Sequence, residues 1–190
     1  MFAARYRMDS SNSSSAKSSG SDDSLQENTD SFRYLTQQIQ RLKPKHREMM
    51  KTTFYTFNTR GTEIFYRMFT DYPDYKHKFD KFRELPDFAL MSTGELQRHG
   101  VIYMAALEHI IHNLDDDHVV ALQIKNIAVT HKKKNITRAH IMNMLPHFLL
   151  VARETSPDHC KTDLLNESWT ILFEIISECI ERYKPKFVLS

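Results

Sequence analysis

Two histidines, His99 and His131, are the residues of this 190-residue chain whose positions most clearly suggest chemistry. Each lies in a series of apolar residues at the three-and-four spacing of a helix, so each ring is expected to leave the buried face of its helix. Imidazole nitrogens are good ligands for iron, so two inward rings on neighbouring helices could hold one iron between them. The apolar series are Leu96, Ile102, Tyr103, Ala106, Leu107, Ile110 and Leu114 around His99, and Val120, Ile124, Ile127 and Ala128 around His131.

The elements that must position these two rings are predicted to be helices. The chain has only four glycines and six prolines and shows no alternating strand pattern, so the sequence predicts an all-α domain whose helices end at Pro and Gly. The His99 helix should begin at a capping box of Ser92 with Glu95 and end near Asn113. The His131 helix should begin at the aspartates of residues 115–117 and stop at Asn135.

Further helices are predicted on both sides of this pair. One runs from Pro44 to about Phe57, and the next carries Ile64, Phe65, Met68 and Phe69 until Tyr72-Pro73 stops it. A short helix or turn then leads to Phe79 and Phe82. The last two helices are expected from Thr137 to about Glu154 and from about Thr162 to Tyr183, with a corner at Ser156-Pro157.

The chain divides into three predicted parts. Residues 9–30 are rich in Ser, Asn, Asp and Gly, with Leu25 as the one large aliphatic residue, so a disordered Ser-rich tail is expected over residues 1–30. A short amphipathic helix over residues 31–42 should follow, because its apolar residues have helical spacing. The main domain then occupies residues 43–190. The apolar residues of the short helix are Phe32, Leu35, Ile39 and Leu42.

Composition excludes several classes of function. The 26 basic residues nearly balance the 24 acidic ones and are scattered, apart from the helix-end run at residues 132–134, which argues against nucleic acid as a partner. Two cysteines suggest a reducing compartment, and the lack of a long apolar run or signal core argues against a membrane span and favours the cytoplasm. Either cysteine could still pair between chains, so a homodimer stays open. Known enzyme motifs are missing from the sequence, so we expect no enzymatic activity.

The order of several residues resembles that of the globin family from about Lys43 to Lys184. Tyr72-Pro73 precedes Phe79 and Phe82, as in the globin corner where a helix-breaking Pro comes before the Phe that packs on haem. His99 then resembles the distal histidine. His131, followed by Lys-Lys-Lys-Asn-Ile, resembles the proximal one, and Trp169 is similar to the Trp of many last helices of invertebrate and neuroglobin-type members. The resemblance implies a globin fold, a haem b cofactor and these two histidines as its axial ligands.

The same resemblance implies roles for other residues. The carbonyl near Ile127 should orient the proximal ring, and Phe79 should stack on the porphyrin. A further set is expected to line the haem pocket, although each of its members could equally be ordinary core. That set comprises Phe65, Phe82, Tyr103, Ile127, Ile136, Ile141 and Met144.

Two departures from the family's pattern bear on function. Phe65 stands where many oxygen-binding members have Tyr or Leu, and Tyr103 replaces a small aliphatic residue, so both crowd the distal side. We therefore expect His99 to occupy the sixth iron position itself, giving a bis-histidyl, low-spin haem. This is similar to neuroglobin-like and nematode neuronal globins with N-terminal extensions. It implies redox or gas-sensing work, with O2, CO or NO and a redox protein as partners, rather than bulk oxygen transport.

Alternatives remain open at this stage. The chain could bind oxygen reversibly with His99 as a hydrogen-bond donor, or it could be a haem-free interaction domain of globin fold. The separation of 32 positions between the two histidines implies a small insertion and leaves His118 as a competing proximal candidate. The other histidines are interpreted as solvated or corner residues, and a zinc site at His140 and His147 lacks a third ligand. This group comprises His46, His77, His109, His112 and His159.

Overall fold

A computed structural model describes residues 32–90 and 92–182 of the chain. Within these ranges all regular elements are helices and no strand occurs, as predicted. The predicted tail over residues 1–30 and the expected helix end at Tyr183 lie outside the described residues. The α-helices are α1 (32–39), α2 (Pro44–Phe54), α3 (Gly61–Asp71), α4 (Asp87–Leu90), α5 (Gly94–His112), α6 (Asp117–Lys133), α7 (Arg138–Thr155) and α8 (Asp163–Arg182), with 3₁₀ helices at Pro73–Lys78 and Asp158–Cys160.

The ends of the helices that carry His99 and His131 follow from local side-chain chemistry. The predicted Ser92 capping box is wrong: Thr93 caps α5 and accepts a hydrogen bond from the backbone N–H of Leu96 at 3.3 Å. Ser92 instead donates to the carbonyl oxygen of Ala89. Asp116 caps α6, as the run of aspartates predicted, and its carboxylate offsets the positive end of the helix dipole.

The exit from α6 is equally well defined. Asn135 has a φ of 54°, the left-handed conformation in which Asn is among the most tolerated residues, directly after the last turn of α6. The run of lysines at residues 132–134 lies in this last turn, where positive charge stabilises the exposed carbonyls. The chain therefore turns sharply after His131 and enters α7 within a few residues.

The general expectation that helices end at Pro and Gly does not hold at two residues, although the predicted ranges of their helices include both. Gly100 lies inside α5 and Pro146 lies inside α7, so neither residue ends a helix. Helix α2 also ends at Phe54, three residues before the predicted Phe57, and turns follow it. Phe57 is nevertheless fully buried, because the turns direct its ring into the core.

The centre of the core is an aromatic cluster around Trp169 of α8. The rings of Phe57 and Phe148 lie 5.6 Å and 4.7 Å from the Trp169 ring, and Phe54 lies at 6.4 Å. All four side chains are fully buried, and they join α2 and α7 to α8. Helix α1 contributes to the same core, because its side chains Leu35 and Ile39 are buried. Leu42, which follows α1, is buried as well.

Helices α3 and α5 cross at a close contact between two glycines. A methyl group on Gly61 would collide with the carbonyl oxygen of Gly100, and one on Gly100 would lie 2.5 Å from the backbone nitrogen of Thr62. Only hydrogen side chains permit this approach. The crossing brings His99, the neighbour of Gly100, close to Phe65 of α3 and so fixes one side of the candidate site.

Candidate cofactor site

A cavity of about 510 Å³ lies among α3, the 3₁₀ helix Pro73–Lys78, α5, α6, α7 and α8. Its volume falls within the range of about 300–1,000 Å³ that is typical of small-molecule and cofactor sites. All ten residues that the sequence singled out line this one cavity. They are Phe65, Phe79, Phe82, His99, Tyr103, Ile127, His131, Ile136, Ile141 and Met144.

His131 lies in the last turn of α6 and is held by its own helix. Its Nδ1 is 2.8 Å from the carbonyl oxygen of Ile127, and because a carbonyl can only accept, the proton is on Nδ1. The other nitrogen, Nε2, is then left with a free electron pair. Burial lowers the pKa of His131, although the hydrogen bond to Ile127 partly opposes this. The ring is therefore a neutral imidazole at pH 7, the form that binds a metal.

His99 is held differently, by aromatic edges. The Phe65 and Phe79 rings lie 4.6 Å and 4.8 Å from its ring, both at steep angles. Within residues 32–90 and 92–182, neither nitrogen of His99 has a hydrogen-bond partner. Burial, and secondarily the charge that His131 can carry, lowers the pKa of His99 to about 4. This ring is also neutral at pH 7 and offers an unengaged nitrogen to the cavity.

Tyr103 adds bulk one turn after His99. Its ring lies 5.2 Å from the Phe65 ring, and its hydroxyl is buried with no hydrogen-bond partner in the described part of the chain. Burial raises the pKa of the Tyr103 phenol, so the group stays neutral. Phe65 and Tyr103 thus fill space on the side of the cavity where His99 lies.

Two polar residues that line the cavity were not assigned to it from sequence. The Nδ1 of His140 accepts hydrogen bonds from the hydroxyl and the backbone N–H of Thr137, at 2.7 Å and 3.2 Å. The ring of Tyr75 lies 4.4 Å from the His140 ring, and its hydroxyl accepts a hydrogen bond from Asn143 at 2.7 Å. The signal was available for His140, because it precedes Met144 by four positions and so shares its helix face.

Several other expectations need correction. Ile102, expected on the buried face of α5, is 58% exposed and lies where the cavity opens. His46, expected at the surface, is buried, since its Nδ1 accepts a hydrogen bond from the Lys43 backbone N–H and so caps α2. Phe173 and Ile176 of α8 also line the cavity and were not anticipated.

Charged side chains surround the opening of the cavity. Lys134, at the end of α6, pairs with Asp80 at 3.1 Å. Lys81 and Arg98 share Glu95 of α5, at 2.8 Å and 3.1 Å. These ion pairs join the segment after the 3₁₀ helix to both α5 and α6. The three basic side chains are each at least 60% exposed, so the opening faces solvent.

The two histidines supply two nitrogen donors, and a stable iron site needs more than two. In the described ranges, no group of three or more His, Cys, Asp or Glu side chains is arranged to hold a metal ion. A macrocycle that brings its own four nitrogens fits this donor set and the apolar walls. Every helix in the same ranges is too short or too polar to span a membrane.

In the described residues, the protein is all-helical, and imidazoles from two of its helices line one mostly apolar cavity of a size that suits a cofactor. The family model described as Globin matches residues 62–180, well over half of the chain. The chain belongs to the globin family, which confirms the family that the sequence resembled. Membership of the globin family implies a haem cofactor. Members of this family are in general binding proteins rather than enzymes.

Individual relatives agree with this assignment. A globin from Busycotypus canaliculatus is 30% identical over 84 residues, which cover 44% of this chain and 57% of that protein, so the chain spans little more than half of that relative. A crystal structure of a double mutant of Aplysia limacina myoglobin has a TM-score of 0.64 at 16% identity, covering 72% of this chain and 94% of its own. Ferric myoglobin from the same organism gives 0.64 at 15% identity with the same coverage. These likenesses confirm the globin fold.

Proposed function

We propose that this globin binds haem b through His131 as the proximal ligand and His99 as the sixth ligand, giving a bis-histidyl, low-spin protein. It would act in electron transfer or gas sensing in the cytoplasm rather than in bulk oxygen transport. Haem supplies an iron that changes oxidation state and accepts a diatomic ligand such as O2, CO or NO.

The observation that carries this proposal is the difference between the two imidazoles. The hydrogen bond to Ile127 fixes the tautomer and orientation of His131, which makes it suited to be a permanent ligand. His99 has no such bond and is held by the edges of Phe65 and Phe79. A ring that is held only by packing can bind iron and can also leave it, which is what a displaceable sixth ligand requires.

The other cavity residues exclude water and restrict the space beside His99. Phe65 and Tyr103 occupy that side with a ring and a neutral phenol, so a small gas must displace His99 rather than enter a vacant position. Phe79 and Phe82 stack on each other at 5.0 Å and close the cavity next to its opening. The remaining apolar residues would contact the porphyrin on its proximal side and edges. They are Ile127, Ile136, Ile141 and Met144.

Replacing each histidine separately tests the two roles. We expect His131→Ala to lose most of its haem, because the anchored ligand is gone. We expect His99→Leu to keep its haem and become five-coordinate. His109→Ala, an exposed residue on the same helix as His99, is the matched control and should behave as the native protein. Equal haem loss in the two ligand variants, measured as haem per protein, would contradict the assignment.

A reversible oxygen carrier is the second candidate. It is favoured by the ring N–H of His99, which has no hydrogen-bond partner among the described residues and could donate to a ligand instead of leaving the ring to bind iron. An oxygenated form that resists autoxidation for hours would support this candidate over the redox function. A haem-free interaction domain is the third possibility, and it predicts no Soret band after reconstitution with haem.

A further inference from the structure

The opening of the cavity carries a surplus of positive charge. The charged side chains that line the cavity, together with Arg83, which pairs with Asp80 of the lining, are five Lys or Arg and two Asp or Glu, a formal excess of three positive charges. The other residues of the described ranges contain 16 basic and 17 acidic side chains, a formal excess of one negative charge. The positive charge of the described residues is therefore concentrated at the opening, where a bound cofactor would face solvent.

The ion pairs at the opening do not remove this surplus. Asp80 is shared by Lys134 and Arg83, at 3.1 Å and 3.6 Å. Glu95 is shared in the same way by Lys81 and Arg98. Four basic side chains thus share two carboxylates, and all four are more than half exposed. The two carboxylates of haem, if bound, would reduce this excess from three to one without reversing it.

We propose that this basic opening docks an acidic electron-transfer protein, one whose own redox group is surrounded by carboxylates. The proposal rests on the proposed redox function and adds the surface and the partner's charge to it. A local surplus of one sign steers an oppositely charged protein to that surface and raises its association rate. The Phe79 ring, which is partly exposed and lines the same cavity, would add an apolar contact beside these basic side chains. One electron would pass from the partner to the ferric iron, so the partner is oxidised by one electron and the iron is reduced by one.

The test uses the full-length, haem-loaded ferric protein and flavodoxin hydroquinone, an acidic one-electron donor, as the probe. Stopped-flow mixing gives the second-order rate of reduction at about 20 mM and about 200 mM ionic strength. We expect the rate to fall about tenfold with added salt. Lys81→Glu with Lys134→Glu should lower the low-salt rate about tenfold as well. NMR titration with oxidised flavodoxin reports binding to the same residues independently of electron transfer.

The control is Lys45→Glu with Lys161→Glu. It makes the same change in net charge at two lysines that pair with nearby acids but do not line the cavity. This variant should stay within about twofold of the native rate. An equal loss in both double variants, a rate that salt does not change, or tighter binding to phosphatidylserine vesicles than to flavodoxin would each overturn the proposal.

The absorption spectrum of every variant separates this proposal from the function on which it rests. If the spectra remain those of a bis-histidyl haem while docking shows no preference for the opening, only the docking surface is wrong. If the native protein lacks a six-coordinate spectrum, the proposed function is wrong whatever the NMR titration shows.

Discussion

The Nδ1 of His131 lies 2.8 Å from the carbonyl oxygen of Ile127, one helical turn before it. A carbonyl oxygen has two lone pairs, so that of Ile127 can accept this bond while the helix stays intact. The bond fixes which ring nitrogen is left for a metal. His99 has no corresponding bond, and this asymmetry between the two imidazoles underlies the first prediction.

Removing His99 should open the iron to external ligands. If His99 holds the sixth position as proposed, CO must wait for that position to become vacant, which reduces the fraction of binding-competent molecules. We expect His99→Leu to bind CO at least about tenfold faster after flash photolysis or rapid mixing. His109→Leu, at an exposed position of α5, should bind CO at the native rate. Unchanged kinetics in His99→Leu would show that this imidazole does not compete for the iron.

The glycine crossing should be intolerant of any side chain. In Gly100→Ala, the new methyl lies 2.5 Å from the Thr62 backbone nitrogen, so α3 and α5 must separate. We expect the free energy of unfolding to fall by about 1–3 kcal/mol in urea denaturation. Gly94→Ala, at the exposed start of α5 with open space around it, should be neutral or stabilising by up to about 1 kcal/mol. Equal effects at the two glycines would argue against the close crossing.

Two tyrosine hydroxyls that differ in their partners should respond oppositely to removal. The Tyr103 hydroxyl is buried without a partner, so Tyr103→Phe should leave the unfolding free energy unchanged or raise it by up to about 1 kcal/mol. The Tyr75 hydroxyl accepts a hydrogen bond from Asn143, so Tyr75→Phe should lower it by about 1 kcal/mol. A clear destabilisation in Tyr103→Phe, measured by urea denaturation, would reveal a partner that the structure does not show.

Acid sensitivity should arise in part from Glu63 of α3. Hydrogen bonds from Arg60 and Arg67 lower the pKa of Glu63 below its ordinary value of 4.5. A lowered folded-state pKa means that the carboxylate's contribution to stability is complete above about pH 4.5 and is lost as the pH falls through the lowered pKa. Because the pair is partly exposed, Glu63→Gln should cost no more than about 1 kcal/mol at pH 7. Its unfolding free energy should also fall less steeply below pH 4.5 than that of the native protein, as urea titrations at several pH values would show.

The sequence was sufficient to predict the helices that carry the two histidines. Helical spacing predicted their apolar faces, and the aspartates before α6 and Asn135 after it predicted where that helix begins and ends. These features are local, because a cap or a left-handed residue acts within one turn of the chain. The ten chosen residues all line one cavity, but most of them were chosen through the resemblance to the globin family rather than from such local signals.

What could not be predicted depends on contacts between distant segments. The close contact with Gly61, nearly forty positions earlier, explains why a glycine stands inside α5 at residue 100. The residues next to Gly100 in the sequence do not indicate this contact. Ile102 belongs to an apolar series by spacing, yet its exposure depends on where the cavity opens. Helix α7 runs through Pro146 as its predicted range implied, but the reason is not local: α7 packs against α3 and α8, and packing outweighs helix propensity.

The visible absorption spectrum of the ferrous protein with no added ligand tests the central claim most directly. Coordination by both His131 and His99 predicts narrow, well-separated bands of a low-spin, six-coordinate haem. A single broad band of a five-coordinate, high-spin haem would contradict the account.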